Sequence, residues 1–139
     1  MKFEIVGTPV AKGRPRVSRI GTFTPLKTVN YENLVKYTFV QSFPNFKPFE
    51  DEIKIKIIAI FNPPASISKK KLKELLPTTD DPLSAKGKIT KPDLDNIVKS
   101  ITDALNGLAY KDDNLITSFE AHKVYGEQAK VIVEIEEVV

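Results

Sequence analysis

The chain has 139 residues and a formal net charge of +3, with 41% hydrophobic and 28% charged residues. These values are typical of a soluble globular protein, and the length predicts a single domain over residues 1–139. The absence of cysteine excludes disulfides, thiolate zinc sites and cysteine nucleophiles, and the single histidine excludes any site that needs two.

In the first half of the chain, strands and a helix are separated by a loop rich in glycine and proline. Residues 2–7 alternate in hydrophobicity and predict a strand. Residues 7–27 contain Pro15 and Pro25, so they predict a loop or a loose hairpin rather than a helix. Residues 28–43 predict a helix that ends before Pro44, and residues 52–61 predict a strand. The end of that strand, at Ile58 and Ile60, is apolar on both faces, which indicates cover on both sides.

The second half contains the strongest helix pattern of the chain. Ser68 is placed to cap a short helix with the sequence KKKLKELL, and a long polar connection follows over residues 77–92. Residues 93–106 predict a helix closed by Gly107. Residues 115–125 and 129–137 predict two strands, which we expect to form a hairpin. The fold class is therefore α+β, with a mixed β-sheet packed on two or three helices.

The charge is distributed unevenly along the chain. Residues 1–80 hold 14 Lys and Arg against 7 Asp and Glu, whereas residues 81–139 hold 7 against 11. This arrangement suits a protein that grips a polyanion with one region and holds cations in another, although chance clustering of solvated charges is the favoured interpretation of the charges alone. The N-terminus is no signal peptide and the longest apolar run, residues 53–61, cannot span a bilayer. We therefore expect a cytoplasmic protein with no membrane contact.

The segment over residues 91–114, KPDLDNIVKSITDALNGLAYKDDN, carries the candidate chemistry. Its apolar positions form one stripe at helical spacing, while Asp95, Lys99 and Asp103 share a polar face. A purely structural interpretation is available for these charges. Asp93 is a plausible N-cap, and Asp95–Lys99 and Lys99–Asp103 are ordinary ion pairs at helical spacing.

A second acidic pair shifts the interpretation from structure to chemistry. Asp112 and Asp113 follow the helix by a short turn, so one of them can join Asp93 and Asp95 on one side of the sheet. Carboxylates that gather in one place repel each other unless a cation holds them. Oxygen ligands without nearby His or Cys suit Mg²⁺ or Mn²⁺, which leave water positions open for phosphoryl-transfer chemistry.

These motifs resemble those of the RusA family of Holliday junction resolvases. The resemblance rests on KPDLDNIVK at residues 91–99, DALNG at residues 103–107, the pair Asp112-Asp113, and KGRPR at residues 12–16, which is similar to the basic loop near the start of that family. It covers nearly the whole chain. It implies a homodimeric, Mg²⁺-dependent endodeoxyribonuclease of phage or prophage type, active in DNA recombination and repair. Such an enzyme cuts two opposed strands of a four-way DNA junction and leaves 5′-phosphate and 3′-hydroxyl ends.

The resemblance also implies roles for individual residues. Asp93, Asp95 and Asp113 are the expected catalytic carboxylates that bind Mg²⁺ or Mn²⁺, with Asp112 as the substitute for Asp113. Lys99 is the expected essential lysine, one helical turn after Asp95.

Two basic clusters are candidates for DNA contact. The first holds all three arginines of the chain within a loop that contains glycine and proline, and its members are Lys12, Arg14, Arg16 and Arg19. Arginine offers a planar fork for phosphate, so backbone gripping is the favoured interpretation over a solvated loop. The second cluster lies on the predicted short helix, where phosphate contact and a solvated face are equally good interpretations, and comprises Lys69, Lys70, Lys71 and Lys73.

Two other functions remain open at this level. The main alternative is a non-catalytic nucleic-acid-binding module whose acidic helix is purely structural. A third is a small regulatory protein that senses Mg²⁺ or Ca²⁺, although the ligand spacing of an EF-hand is absent. The clustered carboxylates favour an enzyme over a pure DNA binder, because a DNA-binding surface avoids them unless a cation is present.

Overall fold

Six β-strands and three α-helices build the part of the chain that this computed structural model describes, residues 1–87 and 89–138. The strands are β1 (Lys2–Val6), β2 (Arg16–Ser18), β3 (Gly21–Phe23), β4 (Ile53–Phe61), β5 (Ile116–Tyr125) and β6 (Lys130–Glu137). The helices are α1 (Leu26–Ser42), α2 (Lys69–Leu75) and α3 (Leu94–Leu105), with short 3-10 turns at Pro82–Ser84 and Asp113–Leu115. The predicted α+β class with a mixed sheet is confirmed, and each predicted helix and strand forms with ends shifted by at most two residues.

The main sheet has four strands in the order β1-β6-β4-β5. Strand β5 runs parallel to β4, whereas β6 lies antiparallel between β1 and β4. The expected hairpin of the last two strands is therefore wrong, since β5 and β6 flank β4 on opposite sides. Strand β4 takes an interior position because its end is apolar on both faces. The hairpin prediction failed because hydrophobic alternation within a strand does not encode which strands pair.

Helices α1 and α3 pack on one face of this sheet and enclose the core. The predicted apolar stripe of α3 is buried there through Ile97, Ile101 and Leu105. Helix α1 contributes Val35 and Phe39, and they pack with the inward side chains of the strands. Each such side chain stabilises the fold by about 1.5–3 kcal/mol relative to its exposed state.

The opposite face of the sheet is covered at one end. There Ile58 and Ile60 of β4 pack with Leu83 and Ala85 from the connection that follows α2, which confirms the expected cover on both sides of β4. The rest of this face carries exposed ion pairs, such as Lys54–Glu136 at 3.2 Å. No helix in the described ranges is long and apolar enough to cross a membrane.

The crossover from β4 through α3 to β5 decides where the acidic residues lie. Because β5 is parallel to β4, helix α3 begins near the carboxyl end of β5 and ends near its start. The Lys123 ammonium, late in β5, donates a 3.0 Å hydrogen bond to the Pro92 carbonyl and holds the segment that leads into α3. In doubly wound sheets, ligands bind at the carboxyl ends of parallel strands, and here that end carries the start of α3.

Candidate active site

Two carboxylates lie at the start of α3 without hydrogen-bond or ion-pair partners among residues 1–87 and 89–138. Asp93 occupies the N-cap position, yet its side chain makes no capping hydrogen bond. Asp95, in the first turn, is exposed and has no ion pair or side-chain hydrogen bond within the described residues. The structural roles that the sequence allows for these two residues are thus not realised, and both carboxylates are free to bind a ligand.

Lys99 lies one turn further along α3, on the face that carries Asp95. It is exposed, and within residues 1–87 and 89–138 it forms neither of the ion pairs predicted with Asp95 and Asp103. Asp103 instead accepts a hydrogen bond from Lys12. The ammonium group of Lys99 is therefore available to an external anion.

The second acidic pair lies on the 3-10 turn before β5. The Asp112 carboxylate accepts the Asn114 N–H at 3.2 Å, and this bond, with help from Asp113, lowers the pKa of Asp112. The pKa of Asp113 is raised, mainly by its hydrogen bond with the Asp112 side chain and also by the charge of Asp103. Asp112 and Asp113 thus shift each other's pKa in opposite directions, and Asp113 lies close enough to Asp103 to be affected by its charge.

The structure does not bring Asp93, Asp95 and Asp113 together in one group. Asp95 and Asp103 are eight residues apart, so they lie about 12 Å apart along the helix axis, and Asp113 belongs to the Asp103 end. In the described part of the chain, no three Asp, Glu, His or Cys residues are close enough to hold a metal ion. The reason is topological, because the parallel crossover places the start of β5 at the far end of α3.

The donor chemistry of this region nevertheless fits a hard cation. Every candidate ligand is a carboxylate oxygen, and those of Asp93 and Asp95 are free of hydrogen bonds from the described residues. Mg²⁺ is usually held by only one or two carboxylates, with waters and substrate phosphates completing its coordination. The two carboxylates of Asp93 and Asp95 are therefore enough protein ligands for a Mg²⁺ ion that also binds a substrate phosphate.

A groove of about 570 Å³ opens beside Asp93. The last residue of β4, Phe61, lies in its wall, and two lysines, Lys27 and Lys91, flank it. Sequence reasoning missed both lysines. The position of Lys91, two residues before Asp93, was a usable signal, whereas only the fold brings Lys27 to the groove. The remaining lining residues are Thr8, Pro9, Val10, Ala11 and Pro92.

The predicted basic loop is a hairpin that stands apart from the main sheet. We call residues 14–24 the basic arm; its strands β2 and β3 form a separate two-stranded sheet. Arg14, Arg16 and Arg19 are exposed there, with no ion pair in the described part of the chain. Their guanidinium groups are available for phosphate.

The base of the basic arm is fastened next to the candidate carboxylates. The Lys12 N–H donates to the Asn96 carbonyl at 2.8 Å, one residue from Asp95. Gly13 donates to the Thr28 hydroxyl at 2.8 Å, and a Cβ at Gly13 would meet Pro25 Cγ at 2.9 Å. This close approach requires glycine, and it fixes the direction in which the arm leaves the domain.

Lys12 itself serves a different contact from the arginines. Its ammonium pairs with Glu32 of α1 at 3.0 Å and with Asp103 of α3 at 2.6 Å, and only a fifth of its side chain is exposed. Lys12 therefore joins the two helices to the N-terminal segment. Its ammonium group, predicted to contact a DNA phosphate, binds these two carboxylates in the structure.

The remaining residues singled out from the sequence lie on the surface of α2, in the core or on the basic arm. The four lysines of α2 are exposed on a helix whose N-cap, Ser68, accepts the Lys71 N–H as predicted. Tyr31 packs in the core, whereas Phe23 is half exposed on the basic arm. Tyr110 is fully buried and donates a 2.6 Å hydrogen bond to the Thr102 carbonyl, so it is a packing residue.

Comparison with known proteins adds two findings. A family model described as "Endodeoxyribonuclease RusA" matches residues 7–136 of the chain. "Uncharacterized protein YqaN" of Bacillus subtilis (strain 168) is 34% identical over an alignment 153 positions long, which covers 99% of this chain and 96% of that protein.

Proposed function

The chain belongs to the RusA endodeoxyribonuclease family, and from that premise we propose that it is a divalent-cation-dependent Holliday junction resolvase that acts as a homodimer in the cytoplasm. The observation that carries the proposal is a set of three charged side chains, unpaired within the described part of the chain, at the start and in the first two turns of α3. Asp93, Asp95 and Lys99 are all exposed there without a protein partner in the described residues. None of the three makes a structural contact with the described residues that would account for it, and their residue types and spacing are those of the motif over residues 91–99.

The surroundings of these residues suit a DNA phosphate. Lys27 and Lys91 flank the groove beside Asp93, and the base of the basic arm lies one residue from Asp95. Cationic groups around carboxylates lower the repulsion that a polyanion meets on approach. Contacts of this kind position the DNA backbone and leave the recognition of sequence to other contacts.

The proposed cation ligands are Asp93 and Asp95, together with waters and an oxygen of the scissile phosphate. Asp113, with Asp112 as the substitute, is the proposed third carboxylate, and it can join them only in a complex that brings the start of β5 closer to the start of α3. Bound Mg²⁺ or Mn²⁺ supplies Lewis-acid activation of water and neutralises charge on the phosphate. Lys99 stabilises the negative charge that develops on the phosphoryl oxygens as water attacks. Water displaces the 3′-oxygen at phosphorus, so the ends are 5′-phosphate and 3′-hydroxyl, which a ligase can rejoin.

Two opposed cuts in a two-fold symmetric junction need two sites, which a two-fold dimer provides. The outer face of α1 is the surface that we assign to the dimer contact. It exposes apolar side chains at Leu26, Leu34, Tyr37 and Val40, although its inner face is already buried in the core. A helix that is apolar on both faces is stable when both faces are covered.

A cleavage assay tests the proposed function directly. Synthetic four-way junction, duplex and flap substrates are incubated with the protein in Mg²⁺ and in EDTA. We expect paired, symmetric cuts in the junction with Mg²⁺, and no product in EDTA. Cleavage in EDTA contradicts the cation requirement, while junction binding without any cleavage favours the alternative of a non-catalytic DNA-binding module.

A further inference from the structure

The tip of the basic arm carries an apolar side chain with nothing to pack against. Ile20 is 99% exposed and Val17 is 83% exposed, the two highest values among the large hydrophobic residues of the described chain. A two-stranded hairpin with no hydrophobic face on a core is only marginally stable by itself. The arm thus presents aliphatic surface to the solvent at a place where folding gains nothing from it.

The turn chemistry places Ile20 at the outermost point of the arm. Ser18 and Gly21 pair across the two strands, which leaves Arg19 and Ile20 as the two loop residues. The Ser18 hydroxyl accepts the Ile20 N–H and donates to the Gly21 carbonyl, each at 3.2 Å. Gly21 has φ +132°, which other residues rarely adopt, so the turn is specified by sequence.

The positively charged residues of the basic arm indicate that Ile20 contacts DNA. Arg19 is the other loop residue of the tip, and Arg14 and Arg16 lie along the segment that leads to it. A cationic arm of this kind repels other cations and attracts a polyanion. DNA-binding proteins repeatedly combine Arg contacts to the backbone with an aliphatic or aromatic wedge that enters between base steps. The arm has both parts in adjacent residues.

We infer that Ile20 is a wedge that inserts between bases at the branch point of the junction, with Val17 widening the apolar surface behind it. This inference rests on the proposed function. Separating two stacked base pairs in continuous duplex costs a few kcal/mol per step. Stacking is already interrupted where four strands exchange, so insertion there costs less than in duplex. The wedge would therefore favour junctions over duplexes.

The test measures base unstacking without relying on cleavage. A four-way junction carries 2-aminopurine beside the branch point, and the fluorescence of this base rises when it unstacks. Binding is carried out in EDTA, with the wild-type protein, Ile20→Ser, Ile20→Leu and the control Val6→Ser. Val6 is also an exposed aliphatic residue, but it lies on β1, outside the arm.

We expect Ile20→Ser to lose most of the fluorescence rise at saturating protein and to lose junction-over-duplex preference, while its duplex affinity and melting temperature are unchanged. Ile20→Leu and Val6→Ser should match the wild type. A full fluorescence rise with Ile20→Ser overturns the wedge and leaves the proposed function intact. A wild-type protein that binds junction no better than duplex overturns the proposed function, and the wedge with it.

Discussion

The Lys12 ammonium donates a hydrogen bond to the Asp103 carboxylate across 2.6 Å and joins residues that are 91 positions apart in the chain. Glu32 accepts a second hydrogen bond from the same ammonium, so one lysine ties the N-terminal segment to α1 and α3. Burial by itself would lower the pKa of Lys12, but the hydrogen bonds to Asp103 and Glu32 outweigh it and raise the pKa above its ordinary value of 10.5. This contact holds the base of the basic arm against the helix that carries the candidate site.

Replacing Lys12 by methionine should therefore destabilise the fold. We expect a loss of about 1–3 kcal/mol in the free energy of unfolding at pH 7, since two partly buried carboxylates lose their cation. Urea denaturation measures this loss, with Lys47→Met, an exposed lysine, as the control. Equal midpoints for the two variants would contradict the structural role.

The same contact predicts a dependence on pH. The folded pKa of Lys12 is raised, so its contribution to stability is complete below about pH 10.5 and is lost as the pH rises through the folded pKa. The stability difference between the wild type and Lys12→Met should stay constant from neutral pH to about pH 10 and shrink above it. A difference that shrinks between pH 6 and pH 9 would point to another group.

Asp95→Asn should abolish cleavage of a four-way junction while junction binding is retained or strengthened. The substitution removes a proposed cation ligand and one negative charge, but it keeps the shape of a side chain that makes no ion pair or side-chain hydrogen bond in the described chain. Cleavage and gel-shift assays measure the two effects. Asp80→Asn, an exposed aspartate in the connection after α2, is the matched control and should cleave normally. Full activity of Asp95→Asn would remove Asp95 from the site.

The variant Lys99→Ala tests whether Lys99 contributes to catalysis or to the stability of the fold. We expect the single-turnover cleavage rate to fall by about 100-fold or more, as when one donor to a developing oxyanion is lost. The free energy of unfolding should change by less than about 0.5 kcal/mol, because Lys99 makes no ion pair in the described residues. A variant that is less stable but cleaves at the normal rate would favour the structural interpretation of this helix face.

Arg14 and Arg16 should strengthen junction binding by contacting DNA phosphate groups. Changing both to alanine is expected to weaken junction binding and to reduce the slope of log K against log salt by about 2. Lys36→Ala with Lys47→Ala removes the same charge from exposed positions outside the arm and serves as the control. Fluorescence anisotropy over a series of salt concentrations measures the slopes, and identical slopes for the two double variants would exclude the arm from the interface.

Tyr37→Glu tests the dimer contact. Tyr37 is exposed on the outer face of α1, so a charge there should leave the fold of the subunit intact and separate a dimer that uses this face. Sedimentation velocity should show the wild type as a dimer and the variant as a monomer. Nicking of one strand in place of paired cuts is the expected consequence for activity, and a variant that remains dimeric would place the contact elsewhere.

The sequence by itself determined the elements and the candidate residues of this protein. Helix α3 was predictable because its apolar stripe repeats at helical spacing and Gly107 follows it at positive φ. The basic arm was predictable as a loose hairpin, since Pro15 and Pro25 exclude a helix. The motif around Asp93 and Asp95 was sufficient for the family, because the residue types and spacings that carry chemistry are local in the chain.

Only the tertiary structure decided how those elements and charges are partnered. Strand β6 inserts between β1 and β4, since pairing depends on burial across the whole sheet and local alternation does not record it. The same long-range packing pairs Asp103 with Lys12 and leaves Lys99 without an ion pair in the described part of the chain, although spacing along the helix predicted an Asp103–Lys99 pair. Ion pairs follow the distances between elements, and those distances are set only when the core of α1, α3 and the sheet has closed.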